Sequence, residues 1–513
     1  MTRFRLPSVK CLLERPSKAR EYIQSRDGTD RGLLKDVRQV EKDAHAATPL
    51  HAALRCLRLA AALGVTVHAL LTKRNTAAAT GWISFCWSRP LTGTLLYLTF
   101  GINRVQRKAQ RLMDRCVIPP SPSLDALSCK PAPEFRPLNR MLDLITPYPL
   151  LGGNQVNWYK SGDTGYPAML EAINQAESYV VLCSYIFRYD LVGKQFVKAL
   201  GDAVARGVEV RVLVDGWGSG YFYCPIQKAL EKVGVPCARF MHSFLPWRMT
   251  FINLRNHRKL LVVDGKVGFT GGMNILQEAL MDLPQKHHVA DTAFRLIGPV
   301  ALQLMDAFAR DWAFTTGEIL SGPKFYPKPP TPGKVPSRVV ASAPDADMGK
   351  IEYTILQAVI LAQRHVCLMT PYFIPDARLA SELALAALRG VRVDLIVPHH
   401  SNHHFVDDAR NFYLKPLVKA GVHVWFGGAP FDHSKLMTVD GLWSLVGSAN
   451  LDPRSLRLNF ECDAALYDQE MAGTLLDYME TRRGEELTLA DIKRWPLWVK
   501  LRNATWRLLS PYL

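Results

Sequence analysis

A chain of 513 residues exceeds what one ordinary hydrophobic core supports, so two or more globular units are expected. Apolar residues at 48% and charged residues at 21% exclude a disordered or low-complexity protein. A formal net charge of +17 points to a phosphate-rich partner, anionic lipid or nucleic acid, and the ten scattered cysteines, none in a close pair at zinc-ligand spacing, read as reduced thiols.

Residues 1–46 mix both charges and are expected to form a poorly ordered tail. Residues 47–103 carry two apolar stretches, 59–71 and 81–101, the second interrupted by Arg89-Pro90. Each falls short of the roughly 20 clean apolar residues of a full span. They are expected to form a membrane-associated hairpin that either crosses the bilayer or lies in its interface; a buried core hairpin is the alternative. Trp82, Trp87 and Tyr97 suit a membrane interface, and the basic run Arg104, Arg107, Lys108, Arg111, Arg115 would keep the following chain on the cytoplasmic side. Residues 104–150 form a basic, proline-rich linker.

From 151 the chain repeats itself. Residues 151–327 predict helix 168–177, strand 179–184, helix 193–206, strand 208–214, helix 226–233 and strand 235–240. Residues 328–513 predict helix 351–363, strand 365–370, helix 377–388, strand 391–397, helix 407–420 and strand 422–426, then an aromatic and basic closing segment. This alternation predicts an α/β fold with a helix-covered sheet in each half.

Each half ends in the same motif. His257, Lys259, Asp264 and Asn274 stand at the same spacing as His433, Lys435, Asp440 and Asn450: Lys two, Asp seven and Asn seventeen residues after His. One His-x-Lys pair would be unremarkable as a structural histidine; two copies at identical spacing are not. Alternation along a strand points His and Lys the same way. Imidazole is both a nucleophile and a proton carrier near neutral pH. Lys259, Lys435, Asn274 and Asn450 would hold phosphate oxygens, with a hydroxyl from Ser448 where the first copy has Gly272. Such a set needs no metal or cofactor. Asp264 and Asp440 complete the motif, each before a glycine at a strand end, where loop-orienting hydrogen bonds are the expected use. Asp291 and Glu461, downstream of the two motifs, are candidates to orient the imidazoles. The pairs His287-His288, His399-His400 and His403-His404 lack a framing carboxylate pattern and read as loop or substrate-rim residues. Tyr185 and Tyr372 end matching strands and either line the pocket or pack.

These residues resemble the phospholipase D superfamily, whose signature is this duplicated motif. The stretches 254–265, 271–275 and 447–461, with 95–104 and 494–513, are similar to bacterial cardiolipin synthases. The resemblance covers residues 47–513. It implies two pseudo-twofold-related phospholipase D-like α/β domains sharing one active site behind an N-terminal membrane hairpin. It further implies phosphatidyl transfer between two phosphatidylglycerol molecules, giving cardiolipin and glycerol through a phosphohistidine, with His257 as nucleophile and His433 as acid/base. The implied location is a bacterial inner membrane with the catalytic domains on its cytoplasmic side. A lipid hydrolase or another phosphatidyltransferase shares the motifs. A nuclease would need neither the hairpin nor the Trp495, Trp498 and Trp506 segment, so nucleic acid is not the expected partner.

Overall fold

The computed structural model describes residues 31–73, 75–102, 124–242, 254–344 and 348–510, with side chains from residue 51 onward. It divides into two compact units, Met1–Asn103 and Arg104–Leu513.

The first unit is helical. One helix runs Arg31–Thr72, followed by Thr76–Ser88, Pro90–Leu96 and a π turn Tyr97–Gly101. Asn75 caps the second helix by accepting the Ala78 amide at 2.9 Å. Pro90 opens the third, its ring ending the helix before it. Gly93 lets that helix press on the second, since a Cβ there would lie 2.9 Å from the Cys86 Cα. Tyr97 is buried beside Val65, Ala69 and Cys86, with its hydroxyl 2.7 Å from His68 Nδ1. Several large apolar side chains of the unit, Leu70, Leu71, Leu95 and Phe100 among them, are exposed. The stretch His51–Thr72 is long and apolar enough to cross a membrane by length and composition. Two expectations need correction. Residues 31–46 are helix continuous with the apolar arm rather than a disordered tail, and that arm is not limited to 59–71. The basic run 104–115 lies outside the described residues.

The second unit holds one large sheet and, apart from it, a two-stranded sheet. The strands of the first half are β1 (Leu151–Tyr159), β2 (Tyr179–Ser184), β3 (Glu209–Asp215), β4 (Cys237–Phe240), β5 (Arg255–Asn256), β6 (Leu260–Val263), β7 (Val267–Gly271), β8 (Val289–Ala290) and β9 (Ala293–Ile297). The second half has β10 (Val335–Ser342), β11 (His365–Met369), β12 (Arg392–Pro398), β13 (His423–Gly427), β14 (Phe431–Asp432), β15 (Leu436–Val439), β16 (Trp443–Gly447), β17 (Asn459–Leu466) and β18 (Glu485–Glu486). The order in the large sheet is β18-β13-β12-β11-β15-β16-β17-β10-β1-β9-β7-β6-β2-β3-β4, and β8 and β14 form the two-stranded sheet. Read outward from the antiparallel β10–β1 seam, both directions meet corresponding strands. The two sheets expected from the sequence are therefore one.

Both faces of the sheet are covered, which explains the unbroken apolar runs. Val180 and Leu182 face one core with helices Gly162–Asn174 and Leu191–Ala205. Val366 and Leu368 face the matching core with helices Lys350–Leu361 and Ala377–Leu388. The alternate residues Val181, Cys183, Cys367 and Met369 meet a third core, shared by the halves and built on helices Val300–Thr316 and Gln469–Thr481. This shared core fixes the halves against each other, and the site lies between them.

Candidate active site

Each histidine is placed by the other half of the molecule. β5, just before His257, pairs in parallel with β17, and the His257 amide donates to the Phe460 carbonyl at 2.9 Å. β14, just before His433, pairs with β8, and the His433 amide donates to the Ala290 carbonyl at 2.7 Å. The next residues along those partner segments are Glu461 and Asp291. His257 Nδ1 lies 3.0 Å from both Glu461 oxygens, and His433 Nδ1 lies 2.7 Å from Asp291 Oδ2. The carboxylates thus serve crosswise: each orients the histidine of the opposite half, not of the motif it follows in sequence. With Nδ1 engaged in both rings, the Nε2 atoms are the ones left for chemistry. The rings face each other edge to face, centroids 6.5 Å apart, in a cavity of about 640 Å³.

Lys259 Nζ donates to the His257 carbonyl at 2.6 Å. Lys435 Nζ donates to the His433 carbonyl and lies 2.8 Å from His433 Nδ1. One bond to a local carbonyl leaves each ammonium further protons for a ligand. Asn274 Oδ1 accepts the Ile186 amide at 3.0 Å, leaving its amide NH2 unspent, while Asn450 Oδ1 is buried with no partner among the described residues. Tyr185 and Tyr372 line the cavity beside His257 and His433, with ring centroids 4.9 and 6.1 Å away.

Burial dominates the electrostatics. It lowers the pKa of His257 against the field of Glu461; at His433 the field of Lys435 joins it, and the pKa falls to about 3. Burial also lowers Lys259 to about 8 and Lys435 to about 7, although Glu461 and Asp291 oppose it. Burial raises Glu461 and Asp291, but their histidine and lysine partners outweigh it and hold both below the usual carboxylate range. The resting site therefore has two ionised carboxylates behind two neutral imidazoles, with two ammonium groups that titrate near neutrality.

Three expected site residues stand elsewhere. Asp264 accepts the amides of Glu177, Ser178 and Tyr179, and Asp440 those of Gln363, Arg364 and His365. Both have positive φ, 52° and 55°, and each ties the turn before β2 or β11 to the far end of its motif strand. They are five residues from their lysines, about 16 Å along an extended strand, and touch no part of the cavity. Ser448 is fully buried; its hydroxyl donates to Glu461 at 2.6 Å and accepts the Cys462 amide at 2.9 Å, so it props the carboxylate rather than facing a ligand. Gly272, its counterpart, exists for Asp291: a Cβ there would sit 2.1 Å from Asp291 Oδ1.

Sequence reasoning passed over Arg258, Ser455 and Asn459. Arg258 points away from the site into an ion pair with Asp311 at 2.7 Å and donates to the Glu461 carbonyl at 3.1 Å. Ser455 and Asn459 donate to Glu461 Oε1 at 2.7 and 3.1 Å. Among the other histidines, His403 reaches the cavity rim. His400, His404 and Asp407 bring ligand atoms within 4.8 Å of one another. Asp407 is already engaged by the Ser401 amide at 2.8 Å and Arg410 at 3.3 Å, so a cation there would compete with a guanidinium.

A family model described as the phospholipase D-like domain of cardiolipin synthase matches residues 169–312 and 355–483, one segment in each half. A cardiolipin synthase of Geobacillus kaustophilus is 33% identical over 458 residues, 86% of this chain and 90% of that one. One from Listeria innocua is 31% identical over 464 residues, 87% of this chain and 96% of that one. Among solved structures, a phosphatidylserine synthase of Haemophilus influenzae superposes with a TM-score of 0.56 at 16% identity, covering 74% of this chain and all of that one, a likeness of fold.

Proposed function

The chain belongs to the cardiolipin synthase family, and from that premise we propose that its two histidines transfer a phosphatidyl group from one phosphatidylglycerol to the terminal hydroxyl of another. The observation that carries this reading is the crosswise pair of carboxylate-held imidazoles, 6.5 Å apart at their centroids, with a lysine beside each.

The donor phosphodiester lies between the rings, its non-bridging oxygens on Lys259, Lys435 and the amides of Asn274 and Asn450. One Nε2, which the resemblance assigns to His257, attacks phosphorus. The bond to glycerol breaks, and the departing alkoxide takes a proton from the other imidazole, His433. Glu461 holds the cationic phosphohistidine in one tautomer and stabilises its charge. The hydroxyl of the second phosphatidylglycerol then loses its proton to His433 and attacks phosphorus; the P–N bond breaks, and cardiolipin leaves. The incoming phosphodiester replaces lost solvation with negative charge, which lets an imidazole hold a proton that burial otherwise denies it.

A lipid substrate calls for a membrane surface. The apolar His51–Thr72 stretch supports anchoring, and the sequence of the following basic run supports a cytoplasmic position at a bacterial inner membrane. At the other end, helix Leu497–Arg507 exposes Leu497, Trp498 and Leu501, and residues 493–513 contain Lys or Arg but no Asp or Glu.

The test is to incubate the detergent-solubilised protein with headgroup- and acyl-labelled phosphatidylglycerol alone. Cardiolipin and glycerol in equal amounts are expected. Phosphatidic acid with glycerol would make water the acceptor and the protein a hydrolase.

A further inference from the structure

Two guanidinium groups in the cavity have no part in the steps above. Arg255 is 8% exposed, stacks 4.9 Å above the Trp217 ring and donates to the Leu254 carbonyl at 3.3 Å. Arg454, half-buried, rises from the short helix Pro453–Arg457. They come from opposite halves, and the β5–β17 pairing that sets Arg255 against Asn459 brings their segments together. Both line the cavity that holds His257 and His433. Neither makes an ion pair with a carboxylate among the described residues. The nearby Asp215 carboxylate is turned to the amides of Trp217, Gly218 and Asn256. Asp452, also on the cavity wall, accepts the Ser455 amide; burial raises its pKa to about 6, so near pH 7 it is largely ionised and offsets one of the two positive charges. Burial lowers Arg255 from its ordinary value; the Asp215 carboxylate and the Tyr185 hydroxyl oppose that fall, and the charge of Arg454 adds to it. Two like charges side by side, one buried and one half-buried and only in part offset by Asp215 and Asp452, cost free energy that an anion would return.

The internal repeat sharpens the point. The catalytic groups are duplicated, but these two are not. The position two before His433 is Phe431, and the position four after Asn274 is Glu278, which pairs with Arg188. The reaction has the same asymmetry. One phosphodiester reacts at the symmetric centre, while the second, on the acceptor, only has to be held, displaced from the first by a glycerol of three carbons.

We propose that Arg255 and Arg454 form a second anion subsite that binds the phosphodiester of the acceptor lipid and selects an anionic acceptor. The inference rests on the transferase reading above and deepens it. Planar guanidinium groups present paired N–H donors matched to phosphate oxygens. An ethanolamine headgroup would bring its ammonium toward two cations, and water or free glycerol would gain nothing from them.

The experiment compares two reactions of the full-length protein. Cardiolipin formation from phosphatidylglycerol needs an anionic acceptor. Exchange of labelled free glycerol into phosphatidylglycerol uses the same donor, phosphohistidine and acid/base steps with a neutral acceptor. Arg454→Gln should raise the KM for the acceptor and reduce cardiolipin formation about 10- to 100-fold, the loss of a charged hydrogen-bonding partner, while exchange stays within about twofold of the unaltered protein. Arg454→Lys should recover part of the loss. Arg255→Gln, in a more buried place, should show the same split, with exchange reporting that the fold survives. Equal loss of both reactions in Arg454→Gln and Arg255→Gln would make the arginines structural or donor-binding and overturn the subsite. Unchanged cardiolipin formation would overturn it as well. If the unaltered protein forms no cardiolipin yet hydrolyses phosphatidylglycerol, the transferase reading fails, and the subsite with it.

Discussion

The two half-sites share their spacing but not their support. His257 is held by Glu461, whose oxygens also accept from Ser448, Ser455 and Asn459, and the following Arg258 locks the strand through Asp311. His433 is held by Asp291, whose second oxygen accepts, among the described residues, only its neighbour's amide, Thr292, at 2.8 Å, and the residue after His433 is Ser434. Glutamate, one methylene longer, leaves room for the Ser448 side chain beneath it. Aspartate stands so close to its backbone that only Gly272 fits. One unit, used twice, has become a rigid, heavily hydrogen-bonded side and a tighter side where Lys435 shares the imidazole. A catalytic cycle with one covalent and one proton-carrying histidine needs such a difference, because the two rings carry different charges at each step.

The strongest test of this contrast removes the rings. His257→Ala and His433→Ala should each lower cardiolipin formation about 10⁴-fold or more, since groups that act as a unit fail together. Digests of the unaltered protein kept at neutral to mildly alkaline pH, where the N–P bond survives, should carry the phosphatidyl adduct on His257; an adduct on His433 would reverse the roles. Next come the carboxylates. Glu461→Gln should cost about 10²- to 10³-fold in kcat and also lower the melting temperature, because three other donors lose an anion. Asp291→Asn should cost a similar factor in rate with less change in melting. Equal melting losses would erase the distinction drawn between the sides.

The lysines give a smaller, pH-dependent effect. Both have lowered pKa values, so the ammonium form is complete only well below pH 7 and is half lost at about 7 at Lys435 and about 8 at Lys259. The kcat/KM of the free enzyme should therefore fall on the alkaline side, beginning near pH 7, and Lys435→Arg should move the first loss upward toward about 8. Smallest in rate should be the pieces that only support. Gly272→Ala is expected to cost about 1–3 kcal/mol of stability by crowding Asp291, and Ser448→Gly about the same by unpairing Glu461. Asp264→Asn should lower the melting temperature while leaving kcat within a few-fold, which a group in contact with substrate would not permit.

The β/α order of both halves is written in the chain because each strand is buried on two faces and each helix on one, and those periods survive any tertiary context. The predicted strand 179–184 and helix 377–388 fall on the observed ones for that reason. The seam was not legible. β1 carries two glycines and polar Asn154, Gln155 and Asn157, and β10 begins Val-Pro-Ser-Arg, so neither reads as a central strand although they join the halves. The duplicated motif marked both histidines and lysines, and the glycine after Asp264 and Asp440 marked their loop-holding use, but spacing alone could not tell that Ser448 serves Glu461. Nor could it reveal the exchange of carboxylates, because sequence places Glu461 after His433 while the fold delivers it to His257. Arg258 was hidden by alternation itself: flanked by two active-site residues, it points the other way.

The crosswise bonding also governs when, during synthesis, the site can be complete. His257 and Glu461 are 204 positions apart, and His433 and Asp291 are 142. A chain emerging from the ribosome can complete the shared core and both dyads only after β17 has been made and has found β5. Until then His257 lacks the carboxylate that orients it, and until residue 433 has been made Asp291 lacks its histidine. A chain truncated before residue 461 should therefore form no cardiolipin, because His257 then has no carboxylate to orient it.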